Sequence, residues 1–394
     1  MPDPRVQITL PHRVRFTHGV FTPDNPTLRS VFDGTDADAK LLVVADQGLV
    51  ESHPSLQRDI EGYFQHHVDA LPHLVGFRGL PGGERVKNDL SLLEGLLGDL
   101  HRLDIDRRSY VLAIGGGALL DAAGFAAAVV HRGVRLVRMP TTTLAQADSG
   151  VGVKNGVNMF GQKNFIGTFA VPHAVVNDGS LLETLSDRDW RAGLAEAVKV
   201  ALLKDAEFYR SIRDGADPLA RRDAALGERV WRRSAELHLQ HITGSVDSDS
   251  GGGGDPFELE QARPLDFGHW AAHKLEALSG YALRHGEAVA IGLALDATHA
   301  ERTGLLDRAI ADDIRRTLTA LGFTLSHPAV GDPALLDGLD EFRQHLGGRL
   351  TVTTIRGVGD PIDLHEIDVD VMRACAAEFV GGSDASILAP AVSS

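Results

Sequence analysis

The chain has 394 residues, 43% of them hydrophobic and 24% charged, enough for about two domains with real cores. Thirty-nine Lys and Arg against 54 Asp and Glu leave a formal charge of −15, which argues against the broad basic face that nucleic acid or an anionic membrane requires. The single cysteine, Cys375, excludes an internal disulfide; no apolar run reaches bilayer length, and MPDPRVQITLPHRVRF lacks a basic-then-apolar leader, so the expectation is a cytoplasmic protein.

In chain order, LLVVAD (41–46) is a buried-strand pattern followed by turn and helix signals. SYVLAIGGG (109–117) is a second apolar run that ends in three glycines, and LLDAAGFAAAVVHRG reads as a small-residue helix closed by Gly133. VRLVRMPTT is a third strand, stopped by Pro140, and HAVVND (173–178) is a last one. This alternation predicts a parallel, Rossmann-like sheet. From LLETLSDRDWRAGLAEAVKVALL onward the period turns helical, with Ser186 or Asp187 as cap of the helix carrying Glu196. The expected organisation is an α/β domain over 1–178 and an all-α domain over 179–394, interrupted only by the β-like run LTVTTI (350–355). DSDSGGGGDP (247–256) reads as a mobile loop, ASILAPAVSS as a loose tail, and Cys375, in RACAAEF, as a small buried residue.

GGG-x-x-x-D (Gly115–Asp121) lies between a strand and a helix, where glycines let backbone approach a pyrophosphate at a helix N-terminus. The alternative is a tight structural turn. Asp46, at a strand end, suits ribose hydroxyls or a helix cap. PGGERVK (81–87) adds a Gly-containing loop with a carboxylate and an amine, and PTTT (140–143) adds hydroxyls. Four such polar loops at one sheet edge favour a ligand.

DFGHWAAHKLE places His269, His273 and Glu276 at i, i+4 and i+7 on one helical face, and RHGEAV adds His285 before another helix. Such groups are costly to bury unless something pairs with them, and imidazoles with a carboxylate suit zinc or a similar divalent ion. Glu196 is a further carboxylate candidate, with Lys199 one turn away. Spacing does not choose three ligands among Glu196, His269, His273, Glu276 and His285, and surface histidines on an amphipathic helix are the alternative. GVKNGVNMFGQKNFIG (152–167) interleaves Lys154, Asn158, Lys163 and Asn164 with glycine, as a loop for a phosphorylated, hydroxyl-rich substrate would.

The runs GGGALLDAAGFAAAVVHRG, MPTTTLAQADSGVGVKNGVN, GQKNFIGTF, AGLAEAVK, DFGHWAAHKLE and RHGEAVAIG together resemble the dehydroquinate synthase superfamily of sugar phosphate cyclases. The resemblance implies an N-terminal NAD-binding domain, a C-terminal helical metal-binding domain, an active site between them, and a homodimer whose Arg132 reaches the neighbour's substrate phosphate. It implies Glu196, His269 and His285 as ligands of Zn2+ or Co2+, with His273 a non-ligand residue near the leaving phosphate. Asp148, Lys154, Asn164 and Lys199 match substrate-contacting positions. Asp46, Glu84, Lys87, Gly115, Gly116, Asp121, Thr141, Thr142 and Lys163 match nucleotide-binding ones, a set that Asp148 also borders. The implied chemistry is oxidation of a ring hydroxyl by NAD, β-elimination of phosphate, return of the hydride, and aldol closure to a carbocycle.

Departures from the synthase pattern bear on the substrate. Where a dehydroquinate synthase reads R-x-x-L-N-x-G-H, this chain reads A-R-P-L-D-F-G-H: Ala262 stands in place of the carboxylate-binding Arg, Arg263 is displaced by one, and Asp266 replaces Asn. The upstream Lys has no counterpart in AELHLQHITGS, and EFRQHLGG leaves Arg343 as the late cation. A buried carboxylate without partners costs several kcal/mol, so the expected substrate is a phosphorylated ketose without one, sedoheptulose 7-phosphate. FRQHLGG also resembles the C7-cyclitol-forming cyclases. His273, where 2-epi-5-epi-valiolone synthases carry Pro, points to a 2-epi-valiolone synthase type. The rivals are dehydroquinate synthase, 2-epi-5-epi-valiolone synthase, a metal-dependent polyol dehydrogenase, and a non-enzymatic homologue.

Overall fold

The computed structural model describes residues 3, 8–160, 162–244, 254–257, 265–345 and 348–381. Most of the glycine-rich 247–256 stretch, Ala262, Arg263 and the C-terminal ASILAPAVSS lie outside these. The chain divides into two compact units, one formed by Met1–Trp190 with His238–Phe257 and the other by Arg191–Leu237 with Glu258–Ser394.

Among the described residues the first unit is built on eight strands: β1 (Val14–Thr17), β2 (Lys40–Asp46), β3 (His73–Leu80), β4 (Tyr110–Gly115), β5 (Arg135–Pro140), β6 (Lys154–Met159), β7 (Gln162–Phe169) and β8 (Ala174–Asp178). Six form one sheet in the order β1-β8-β5-β4-β2-β3, every pair parallel. Central strands with both faces covered need continuous apolar runs, and YVLAIG of β4 is buried at all six positions. Alternate residues feed two cores. Leu41, Val43, Tyr110, Leu112 and Ile114 join one, while Leu42, Val44, Val111 and Ala113 join the other with the helix Gly117–Val129.

The four apolar runs expected to be strands are β2, β4, β5 and β8. The segment expected to be a glycine-rich loop is instead an antiparallel pair, β6 with β7, in the register Lys154↔Phe169 to Met159↔Gln162. Its glycines serve that pairing, since a Cβ on Gly156 or Gly167 would meet the opposite backbone at 3.0 or 2.6 Å.

The second unit is helical, and among its described residues β9 (Val352–Gly357) with β10 (Asp360–Leu364) gives one antiparallel pair. That pair qualifies the all-α expectation: LTVTTI is a strand with a partner. Three helices matter for the site: Asp187–Lys204, His269–Leu278 and His285–Arg302. Ser186 caps the first, its Oγ accepting from the Asp189 N–H at 3.2 Å. The helix His285–Arg302 is buried at fourteen positions from Gly286 to Ala300, so it forms the centre of the unit. Cys375 is buried. Among the described residues no helix is long and apolar enough to cross a membrane.

Candidate active site

In the α/β unit, the polar residues follow the C-terminal ends of four adjacent parallel strands, β3, β2, β4 and β5, the edge where such sheets bind ligands. Asp46 ends β2 and accepts from the N–H of Gly48 (2.8 Å) and Leu49 (3.3 Å), so it is a helix cap. Burial pushes its carboxyl up, against those two N–H donors. Gly82 makes the space for it: a Cβ there would stand 2.2 Å from Asp46 Oδ2. Gly115 closes β4 with its own missing side chain 3.3 Å from Asp46 Cβ, and Gly116 caps the following helix. Thr142 Oγ1 accepts from the Ala145 N–H, and the buried Thr141 donates its N–H to Gly115 O at 3.0 Å.

A polar chain runs on from there. The buried Lys87 donates to Asp121 Oδ2 at 2.7 Å and to Asn164 Oδ1, and Asn164 takes a left-handed φ of 54°. Glu84 accepts from Asn158 Nδ2 at 2.8 Å and lies 3.5 Å from Lys163 Nζ. The structure thus joins Asn164, expected at the substrate, to the group expected at the nucleotide.

Asp148 sits in a π-helical turn, Ala145–Ser149, a rare geometry that recurs at functional sites. Its carboxylate bonds the Nδ1 of His238, a residue the sequence reading passed over because ninety positions separate the two. Beyond the turn, Arg138 of β5, fully buried, donates to Ser149 O, Gly150 O, Gly152 O (2.8 Å), Lys154 O (2.8 Å) and Asn155 Oδ1 (2.6 Å). One guanidinium therefore fixes the backbone between Asp148 and the exposed Lys154. Gly124 leaves room for Asn155, whose Oδ1 would be 1.8 Å from a Cβ there. Arg132 is exposed and shares a left-handed backbone with His131, φ 62° and 51°, a conformation that costs non-glycine residues energy.

In the helical unit, Glu196, His269 and His285 bring one donor atom each to within 4.8 Å of one another, and His273, Glu276 and His285 form a second such group. Glu196 is fully buried. Its Oε1 lies 3.0 Å from His285 Nε2 and 3.4 Å from His269 Nε2, and its Oε2 lies 2.5 Å from Lys199 Nζ. Burial works to raise this carboxyl, but Lys199 and His269 hold it well below the usual carboxylate range. His285 Nδ1 lies 3.0 Å from Glu276 Oε2. Burial lowers the imidazole, yet the two carboxylates prevail and push it up to about 10. His273 stacks on His285 with ring centroids 5.9 Å apart.

The local sequence explains the approach. A Cβ on Gly286 would lie 2.4 Å from Ala192 O, so this glycine lets the His285 helix touch the Glu196 helix one turn before Glu196. The donor set fits a divalent cation. The buried carboxylates of Glu196 and Glu276 face imidazoles, Lys199 lies against Glu196, and neutral imidazoles with carboxylates are the donors such an ion takes. Arg343 is placed differently, exposed on Asp337–His345 with its guanidinium on Asp340. Asp266 contributes its carbonyl to the His269 N–H at 2.9 Å.

Residues 78–192 match the 3-dehydroquinate synthase N-terminal model and 193–341 the C-terminal one. The chain belongs to the 3-dehydroquinate synthase family. It is 36% identical over 344 residues to a 3-dehydroquinate synthase of Cereibacter sphaeroides, covering 85% of this chain and 87% of that protein. It is 34% identical over 373 residues to a 2-epi-5-epi-valiolone synthase of Streptomyces glaucescens, covering 92% and 90%. Among solved structures, the 2-epi-5-epi-valiolone synthase of Streptomyces hygroscopicus subsp. jinggangensis 5008, with NAD+ and Zn2+ bound, matches at a TM-score of 0.83 and 26% identity. That match covers 96% of this chain and 99% of that one.

Proposed function

We propose that this family member is an NAD- and metal-dependent sugar phosphate cyclase, a phosphate-eliminating lyase converting sedoheptulose 7-phosphate to a C7 cyclitol of the 2-epi-valiolone type. The observation that carries the cyclase reading is the buried Glu196–His269–His285 donor set in a family-matched chain. The substrate reading rests on Ala262, which removes a carboxylate partner, and on an exposed Arg343 engaged with its own helix.

Glu196, His269 and His285 would hold Zn2+ or Co2+, and the loops ending β2 to β5 would hold NAD. When bound, these groups supply Lewis acidity toward a substrate oxygen and a reversible hydride acceptor. The chain's own residues do the rest. Lys199 keeps Glu196 anionic, and Glu276 orients His285. Gly115 and Gly116 offer backbone to a pyrophosphate, with Asp46 toward ribose hydroxyls. Lys154, His273 and, from a partner protomer in a homodimer, Arg132 would stabilise the departing phosphate. Asp148, held by His238, would orient a sugar hydroxyl.

Incubation with sedoheptulose 7-phosphate, NAD and Zn2+ or Co2+ tests this reading, with phosphate release and product identification as readouts. Release from the carboxylate-bearing precursor of dehydroquinate alone overturns the substrate. That outcome would favour the dehydroquinate synthase reading, which the 36% identical relative supports. A 2-epi-5-epi product would favour the chemistry named for the Streptomyces glaucescens relative. Net NADH accumulation would instead favour a polyol dehydrogenase.

A further inference from the structure

The helix His285–Arg302 carries a second polar group about three turns beyond His285. Asp296 is 2% exposed and is bonded by two donors. The Trp270 indole N–H donates to Oδ1 at 2.9 Å, and the Gly268 backbone N–H donates to Oδ2 at 3.0 Å. These donors belong to the residues immediately before and after His269. A carboxylate buried this deeply is expensive, and nothing in the catalytic reading above uses it.

The surrounding geometry shows what the expense achieves. Gly268 has a left-handed φ of 77°, and a Cβ on it would lie 2.6 Å from Leu293 N. Conversely, a Cβ on Gly292 would lie 2.0 Å from Gly268 O. Gly292 and Asp296 are one turn apart on the same helical face, as is His285 seven residues before Gly292. One face therefore presents a ligand candidate, a gap for the Gly268 backbone and an acceptor for the groups flanking His269. His269 Nδ1 bonds Phe267 O at 3.2 Å, which leaves Nε2 as the atom turned to Glu196.

We infer that Asp296 and Trp270 are positioning residues that clamp the 268–270 turn and so fix the direction of His269 Nε2 toward the metal. The inference rests on Glu196, His269 and His285 being the ligands. Asp296 touches neither ion nor substrate; it acts through Gly268 and Trp270. Trp270 is only 1% exposed, so its indole also fills space, and the Asp296 bond sets how it sits.

The test uses Co2+ itself, added to metal-stripped full-length protein, with affinity measured against a chelator and geometry read from the visible ligand-field bands. Trp270→Phe keeps most of the volume but loses the N–H, and Asp296→Asn alters the acceptor facing Gly268. Each should remain folded by far-UV circular dichroism, bind Co2+ about tenfold more weakly, as removal of an outer partner of a metal ligand does, and show shifted bands. His269→Ala should lose the bands. Parent affinity and an unchanged spectrum in Trp270→Phe and Asp296→Asn, with the bands lost in His269→Ala, overturn the clamp and leave the ligand reading standing. Retained bands in His269→Ala overturn the ligand reading instead. If Asp296→Asn does not fold, Trp270→Phe decides the matter alone, and a lower melting temperature with an unshifted spectrum counts against the clamp.

Discussion

The two units build their sites from opposite materials. At the ends of β2 to β5 the site is made largely of what is missing: Gly82 and Gly115 open space around Asp46, and Gly116 frees a helix N-terminus. In the helical unit it is made of what is added, with charged donors buried where only mutual pairing or an ion makes them tolerable. A site of absences is damaged by adding a methyl group. A site of charges is damaged by removing one.

The largest effect should come from removing a charge. Glu196→Ala or His285→Ala should abolish stoichiometric metal binding and lower turnover by on the order of a thousandfold or more, the several kcal/mol that a Lewis acid supplies. Metal analysis of the purified variants, beside phosphate release, checks this; full metal content in either breaks the contrast. Arg138→Met comes next. It strips five acceptors of a donor while leaving the strand's volume, and should cost about 3 kcal/mol or more in denaturant unfolding.

Paired methyl additions sharpen the comparison further. Gly82→Ala should weaken NAD binding measured by calorimetry without changing metal content, and Gly286→Ala should do the reverse. Each should cost about 1–3 kcal/mol of stability from overpacking. The same loss of both ligands in both variants would erase the distinction.

The smallest effect is a pH dependence. Burial holds His173 below its ordinary value, against the bond to Val31 O, so the folded state excludes a proton that the unfolded chain accepts. Stability from this residue is complete above the unfolded value and is lost as pH falls from there through the lower folded value. His173→Gln should therefore show a shallower fall in melting temperature between neutral and mildly acidic pH than the parent.

Legibility followed the same division. Central strands such as β4 announce themselves because both faces are buried, so every residue is apolar. The edge strand β3, largely half-buried and interrupted by Gly76 and Gly79, carries no such run. Nor does β7, whose exposed and half-buried residues made it read as a loop. The His269, His273, Glu276 face followed from helical spacing. Arg138 gave no signal inside an apolar strand, since four of its five acceptors are backbone carbonyls, and carbonyls have no letter in a sequence. His238 and Asp148 meet only through tertiary folding.

Gly286 has a consequence for how the helical unit loses its metal. The contact with Ala192 and the ligand candidate His285 are neighbours on one helix, so that helix cannot slide or fray at its start without parting His285 from Glu196. Metal release on heating should then mark the first opening of this buried helix rather than the leisurely escape of an ion from an intact cage. The dissociation rate becomes a clock for local unfolding in the centre of the unit.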